Sequence, residues 1–117
     1  MSNKVRYTLK HIGINNPDDP SAQEMSDLLC GLFNLERTSE SPTNIFVGSI
    51  FEVLKHSKWG VHGHIALQTE DVEAAMAELS QRGITFLEDT IRRDAQGKIR
   101  FIYLEQQIGG FAIHLTT

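Results

Sequence analysis

An internal repeat limits the folds open to this chain more than any other feature. The first half begins with "HIGINNPDD", continues with a helical pattern and ends with the hairpin-like "NIFVGSIFEVL". The second half begins with "HIALQTED", continues with another helical pattern and ends with "IRFIYLEQQIGGFAIHL". Repeats with a period of about 50 residues indicate paired or stacked units. The sequence therefore predicts two β-α-β-β-β modules, at about residues 5–57 and 61–116.

Both predicted helices carry boundary signals. In the first, Pro20 and Ser21 with Glu24 fit a capping box. In the second, residues 69–71 offer N-cap oxygens, and Gly83 is placed to end the helix in a left-handed conformation. The apolar stripes, which should cover a sheet, are Met25, Leu28, Leu29 and Leu32 in the first helix and Val72, Ala75, Met76 and Leu79 in the second.

Length and composition narrow the class of protein. The 117 residues fit one domain over 1–117, because domains have roughly 100 to 200 residues. A net charge of -4 argues against nucleic acid or an anionic membrane as partner and favours a small-molecule substrate or another protein chain. The single Cys30 cannot form an internal disulfide, and the start "MSNKVRYTLK" lacks the apolar core of a signal peptide. No apolar run reaches the about 20 residues of a membrane span. We therefore expect a cytoplasmic protein.

Four metal-capable side chains occupy matched positions in the repeat. His11 and His64 lie in the first strand of each half, and Glu52 and His114 lie in the last strand. Side chains alternate in a strand, so these residues would face away from the helix side. A pseudo-twofold axis would bring all four together. A single strand histidine is more often a packing residue, however, and Glu52 could equally face solvent.

The chain resembles the vicinal oxygen chelate superfamily, which includes glyoxalase I, extradiol dioxygenases, methylmalonyl-CoA epimerase, and the fosfomycin and bleomycin resistance proteins. The most specific part is "GHIALQTEDVEAAMAELSQRGI", and the resemblance covers about residues 5–116. It implies an α+β fold in which paired βαβββ modules form a U-shaped, mostly antiparallel sheet around a divalent metal. Carried over position by position, it implies the ligands His11, Glu52, His64 and His114.

The last strand departs from the glyoxalase pattern. His11, Glu52 and His64 are similar in ligand type to bacterial glyoxalase I, but His114 stands where glyoxalase-like enzymes usually carry Glu. The usual Asp-Pro-x-Gly turn before this strand is replaced by "EQQIGG". The change from Glu removes a carboxylate that could take part in proton transfer.

The resemblance implies a metal-dependent, glyoxalase-like lyase or isomerase that acts on a small carbonyl compound by metal chelation and proton transfer. Three imidazoles and one carboxylate suit Zn, Ni, Co, Mn or Fe and disfavour Mg or Ca. Glu52, the one carboxylate of the set, is the candidate catalytic base. Two alternatives stay open: a non-haem iron dioxygenase, and a non-catalytic small-molecule-binding protein like the bleomycin resistance proteins.

Other predictions concern assembly and the rim of the site. The resemblance implies a homodimer, with the site either inside one chain or shared between His11 and Glu52 of one chain and His64 and His114 of the other. The side chains that could line or flank the cavity are Trp59 and Tyr103 as walls, Arg92, Arg93 and Arg100 as anion contacts, and His56 and His62 at the rim.

Overall fold

A computed structural model describes residues 4–117 of the protein. Residues 1–3 of the predicted domain lie outside this range, and the extent of the domain, 1–117, stays a prediction. The described elements are, in chain order, β1 (Thr8–Ile14), α1 (Asp19–Phe33), β2 (Arg37–Glu40), β3 (Asn44–Val47), β4 (Phe51–Leu54), β5 (Gly63–Gln68), α2 (Val72–Gln81), β6 (Phe86–Arg93), β7 (Ile99–Leu104) and β8 (Phe111–Thr116). Each half thus follows the predicted order of strand, helix and three strands.

The eight strands form one mixed sheet in the order β2-β3-β4-β1-β5-β8-β7-β6. The first and last strands of each module pair in parallel, β1 with β4 and β5 with β8. The modules join through the antiparallel pair of β1 and β5, and the remaining pairs are also antiparallel. The strand order is symmetric about this junction, which confirms the predicted α+β fold of paired modules.

Each helix packs on the sheet of its own module and covers a separate apolar cluster. Under α1 the buried side chains are Ala22, Ile45, Val47 and Val53. Under α2 they are Val72, Ala75, Ile102, Leu104, Ile113 and Leu115. Because side chains alternate along a strand, the residues between these buried positions face the opposite side of the sheet.

The predicted stripe of α1 is partly wrong. Ala22 is buried, and Met25 and Leu29 pack against its cluster, but Leu28 and Leu32 are 53% and 67% exposed. The helix therefore contacts the sheet through positions 22, 25, 26 and 29, which recur at the spacing of one helical face. Two leucines lie outside that face because helical spacing alone does not determine which side of a broad apolar surface meets the sheet.

The predicted capping box of α1 is also wrong. Asp18 is the N-cap, and its Oδ1 accepts a hydrogen bond of 2.8 Å from the backbone N–H of Ser21. Ser21 and Glu24 lie inside the helix, which already begins at Asp19. A carboxylate at the N-cap satisfies an otherwise unpaired amide of the first turn and complements the positive end of the helix dipole.

The predictions for α2 are confirmed. Asp71 is the N-cap, and its Oδ1 accepts a hydrogen bond of 3.0 Å from the N–H of Ala74. Gly83 follows the helix with φ of 86°, the left-handed conformation expected at its end. Within residues 4–117, neither helix has the length and hydropathy needed to cross a membrane.

Candidate metal centre

The four central strands each contribute one metal-capable side chain to the face opposite the helices. In β4, Glu52 is paired with Gly13 of β1, and Gly13 is also paired with His64 of β5. Ala66 of β5 is paired with both His11 and His114. This register places the four side chains around the junction of the two modules. All four belong to one chain, so the group is assembled without a contribution from a second copy.

Three donor atoms of this group form a compact triangle. Glu52 Oε1 lies 3.2 Å from His11 Nε2 and 3.0 Å from His64 Nε2. The two imidazole nitrogens are 3.2 Å apart. Nitrogen and oxygen donors that bind one transition-metal ion at about 2.1 Å lie about 3.0 to 3.4 Å from one another. The triangle therefore has the dimensions of a metal-binding face.

Glu52 is ionised because its pKa is lowered, and hydrogen atoms alone do not satisfy a triangle that contains its carboxylate oxygen. If both imidazoles carry a proton on Nε2, both can donate to Glu52, but two donors then face each other across 3.2 Å. If either Nε2 lacks its proton, a nitrogen lone pair faces the carboxylate oxygen instead. A cation removes the conflict because all three lone pairs can point at it. The contacts among these three donor atoms therefore fit a bound metal ion.

His114 completes the cluster from the second module. Candidate ligand atoms of His11, His64 and His114 all lie within 4.8 Å of one another. The centroid of the His114 ring is 5.6 Å from that of His11 and 5.4 Å from that of His64. Burial, together with the neighbouring imidazoles, lowers the pKa of His114 to about 3. The ring is therefore neutral at pH 7, the form in which histidine binds a metal.

Glu52 is held as an ionised carboxylate. Burial acts to raise its pKa, but hydrogen bonds with His11, His64 and Asn44 outweigh burial and lower the pKa below the usual value for glutamate. Asn44 Nδ2 donates to Glu52 Oε2 at 2.7 Å, which leaves Oε1 to face the two imidazoles. Asn44 therefore orients the candidate ligand, in the way that outer-shell partners orient metal ligands.

The sequence analysis missed Asn44 and gave Gly13 no role in placing a ligand. Asn44 begins β3 two residues before Phe46, the cross-strand partner of Glu52, and a search for polar residues on that strand face could have found it. Gly13 lies beneath the His64 ring, because a Cβ built at Gly13 would overlap three atoms of that imidazole. Only a residue without a side chain leaves room for His64 in this position.

The cluster lies in a cleft with a volume of about 790 Å³. As predicted, Trp59 and Tyr103 are among its walls, and their rings stack at a centroid distance of 4.1 Å. The Tyr103 ring lies 5.0 Å from the His114 ring. Burial and the negative charge of Glu52 raise the pKa of Tyr103, while the positive charge of Arg92 opposes this shift. An apolar wall thus adjoins the polar cluster.

The rim residues predicted from the sequence divide into two groups. Arg92, Arg100 and His56 line the cleft. Arg93 does not line it, since its guanidinium donates to the carbonyl of Gly97 at 2.9 Å. The exposed His62 lies against Phe111, with the ring centroids 5.8 Å apart.

Solved structures with the same fold include two epimerases and one protein without a stated function. A Streptomyces coelicolor methylmalonyl-CoA epimerase in complex with 2-nitronate-propionyl-CoA has a TM-score of 0.66 and 18% identity, over 94% of this chain and 93% of that chain. The methylmalonyl-CoA epimerase from Mycobacterium tuberculosis has a TM-score of 0.65 and 14% identity, over 92% and 85% of the two chains. A hypothetical protein from Bacillus halodurans C-125 has a TM-score of 0.64 and 17% identity, over 94% and 93%.

These similarities identify the fold. The protein has the vicinal oxygen chelate fold, as its sequence resemblance indicated. No protein-family profile and no curated protein sequence matches the chain. At such low sequence identities the structural likeness carries no residue role with it, so the activity must be argued from this chain's own site.

Proposed function

We propose that the protein is a metal-dependent isomerase or lyase that moves a proton on the carbon next to a carbonyl group. The triangle of His11, His64 and Glu52 donor atoms is the observation that carries this proposal. The epimerases with the same fold favour an isomerase over the more specific glyoxalase reaction expected from the sequence. The substrate is a small carbonyl compound that fits the cleft.

The proposed metal ligands are His11, Glu52, His64 and His114. Their chemistry suits Zn, Ni, Co, Mn or Fe, because neutral imidazole is a good ligand for these ions. A metal ion held by these residues would supply polarisation of the carbonyl and stabilisation of the negative charge left on it when the neighbouring carbon loses its proton.

Glu52 is the proposed proton acceptor as well as a ligand. Its contacts with His11, His64 and Asn44 favour the ionised carboxylate, which is ready to accept a proton but is a weak base while all these contacts persist. Accepting a proton therefore requires that Oε1 leave the imidazoles. Asn44 keeps its hold on Oε2 through such a movement, so the carboxylate stays tethered at the site.

The test combines metal content with proton exchange. We would measure metal per chain by elemental analysis after loading with Zn, Co or Mn. We would then follow exchange of the C2 proton of methylmalonyl-CoA in D₂O by proton NMR, as a thioester that undergoes this type of proton transfer. The proposal predicts about one ion per chain and exchange above the protein-free rate. His62→Ala is the matched control, because this exposed histidine lies outside the cluster.

The variant Glu52→Gln separates the two roles of this residue. Retained metal with lost exchange would assign Glu52 as the proton acceptor. Loss of the metal would show that Glu52 is required as a ligand. Retained metal together with full exchange would contradict the catalytic role. A protein that binds no ion after loading, or one whose ion persists in His64→Ala, would contradict the metal site itself.

The two alternatives expected from the sequence, a dioxygenase and a non-catalytic binding protein, can be tested with the same purified protein. Oxygen consumption by the iron-loaded form would support the non-haem iron dioxygenase. Tight binding of a small molecule without metal or exchange would support the non-catalytic protein.

The expected homodimer is also part of this proposal. Leu28 and Leu32 lie one turn apart on α1 and, with Phe33, leave an exposed apolar surface of the kind that a second copy can cover. Light scattering should give twice the chain mass, and Leu32→Glu should return it to the monomer mass. A monomeric wild type at all concentrations would contradict the dimer, while the metal site, which lies in one chain, would be unaffected.

A further inference from the structure

We infer that Arg92 is a substrate-binding residue of the cleft and that the carbonyl substrate carries a second, anionic group which this arginine binds. The inference rests on the proposed function for the carbonyl end of the substrate. It adds what the other end must be: a carboxylate or phosphate. It also assigns a binding role to Arg92 that its exposed position in a strand does not suggest.

A bulge in β6 brings Arg92 to the cleft. Leu87 pairs with Tyr103, and the next pair along the strands is Arg92 with Phe101. Between these two pairs, β6 contains more residues than β7 does, so β6 forms a bulge there. Thr90 closes the irregular segment: its hydroxyl donates to Leu87 O at 2.6 Å and accepts from the N–H of Tyr103 at 2.9 Å. Bulges of this kind re-aim side chains and are frequent next to active sites.

The bulge has two consequences for the residues within it and next to it. Asp89, Thr90, Ile91 and Arg92 all line the cleft, although a regular strand would turn alternate side chains away. Arg93 is turned outward and bonds Gly97 in the hairpin turn. Adjacent side chains of a strand point to opposite sides, so one of the two arginines must turn away from the cleft, and in this register Arg92 is the one that lines it.

Aromatic rings connect Arg92 to the metal cluster. The guanidinium carbon lies 4.7 Å from the centroid of the Phe101 ring, a cation–π arrangement. The Phe101 ring in turn lies 4.4 Å from the His114 ring at an interplanar angle of 32°. Laid end to end, these distances place the guanidinium at most about 9 Å from the His114 ring centre. A short molecule can therefore reach both His114 and Arg92.

The charges of the cleft also favour an anion. Its lining includes four basic side chains, Lys10, Lys58, Arg92 and Arg100, and two acidic ones, Glu52 and Asp89, in a chain whose net charge is -4. Glu52 is engaged with the histidines and Asn44. Across the part of the chain that the structure describes, Arg92 forms no ion pair with a carboxylate. Its donors are available to an incoming anion, which guanidinium binds through two parallel hydrogen bonds.

The test uses two acids with the same chelating end. 2-Oxoglutarate and 2-oxopentanoate share the 2-oxo acid group and the chain length, and only the first has a distal carboxylate. Binding to the zinc-loaded protein is measured by calorimetry and by the fluorescence of Trp59, the single tryptophan, which lines the same cleft. We expect 2-oxoglutarate to bind at least about tenfold more tightly, the usual effect of one charged hydrogen-bonded contact.

Variants at two adjacent positions assign the preference. Arg92→Gln should reduce the ratio of the two dissociation constants to near one, Arg92→Lys should restore part of it, and Arg93→Gln should leave it unchanged. Circular dichroism checks that each variant is folded. The inference is overturned if wild type binds both acids equally, if neither acid binds at millimolar concentration, or if Arg93→Gln reduces the ratio as much as Arg92→Gln.

The outcome is separable from that of the proposed function. A distal-carboxylate preference that depends on Arg92, in a protein that catalyses no proton exchange, would keep the anion site and reject the isomerase. Exchange of the methylmalonyl-CoA proton with no dependence of binding on Arg92 would keep the isomerase and reject the anion site.

Discussion

The imidazole of His64 lies directly against Gly13, its cross-strand partner on β1. A methyl group at position 13 would occupy the space of the ring atoms Cε1, Nδ1 and Nε2. The requirement for glycine here is one of volume, because Gly13 is not among the residues with positive φ. The site therefore depends on a residue that has no chemistry of its own.

Replacing Gly13 with alanine should displace His64 and weaken metal binding. We expect a loss of about 10- to 100-fold in zinc affinity, the range seen when residues that orient metal ligands are changed. Competition with a fluorescent zinc chelator measures it. Gly31→Ala is the matched control, because a Cβ there has no heavy atom within 4 Å. Equal zinc affinity for the Gly13 variant and wild type would show that His64 does not need this position.

Removing the Asn44 amide should also weaken the site, through Glu52. Asn44→Ala deletes the 2.7 Å hydrogen bond to Glu52 Oε2 and frees the carboxylate to rotate. Zinc affinity should fall by about tenfold or more. Thr43→Ala serves as the control, since the Thr43 hydroxyl bonds Ser41 and not the cluster. The same loss in both variants would point to a disturbed β3 and against an orienting role for Asn44.

Tyr103 should stabilise the fold through its ring and not through its hydroxyl. The ring stacks on Trp59 and is 4% exposed, whereas no side-chain hydrogen bond of its hydroxyl is found within residues 4–117. Tyr103→Phe should therefore leave the free energy of unfolding nearly unchanged, and Tyr103→Ala should lower it by about 3 kcal/mol through the cavity it leaves. Urea unfolding followed by Trp59 fluorescence measures both. A large loss in Tyr103→Phe would reveal a role for the hydroxyl.

The Asp18 cap should make part of the stability dependent on pH. Hydrogen bonding to Ser21 lowers the pKa of Asp18 below its usual value of 3.8. A lowered folded-state pKa stabilises the protein above the unfolded pKa, and this contribution is lost as the pH falls through the folded value. Asp18→Asn keeps a cap but cannot titrate.

The comparison is made with urea unfolding midpoints at pH 7 and pH 3. The difference between wild type and Asp18→Asn should be larger at pH 7 than at pH 3. Ser21→Ala controls for the capping box first expected from the sequence and should have less effect than Asp18→Ala at pH 7. A greater effect of Ser21→Ala than of Asp18→Ala would show that Ser21 is the residue that caps the helix.

Most of the fold could be predicted because its signals are local and occur twice. The N-cap at Asp71, the left-handed Gly83 and the alternation around His114 each involve residues close in sequence. The repeat of the module also indicated which distant strands pair, because equivalent strands meet at the symmetric junction of β1 and β5. The convergence of His11, Glu52, His64 and His114 follows from that symmetry.

The two modules, their symmetry and the four metal-capable positions could all be read from the order of the residues. The remaining features required the folded chain, because each of them depends on contacts between distant segments. The face of α1 that meets the sheet depends on packing against β3 and β4, which left Leu28 and Leu32 exposed. Which of Arg92 and Arg93 lines the cleft depends on the irregular register between β6 and β7. Helical spacing does not determine which side of α1 meets the sheet. Side-chain periodicity within one strand does not determine how many residues the neighbouring strand places opposite it. Neither feature can therefore be derived from local pattern alone.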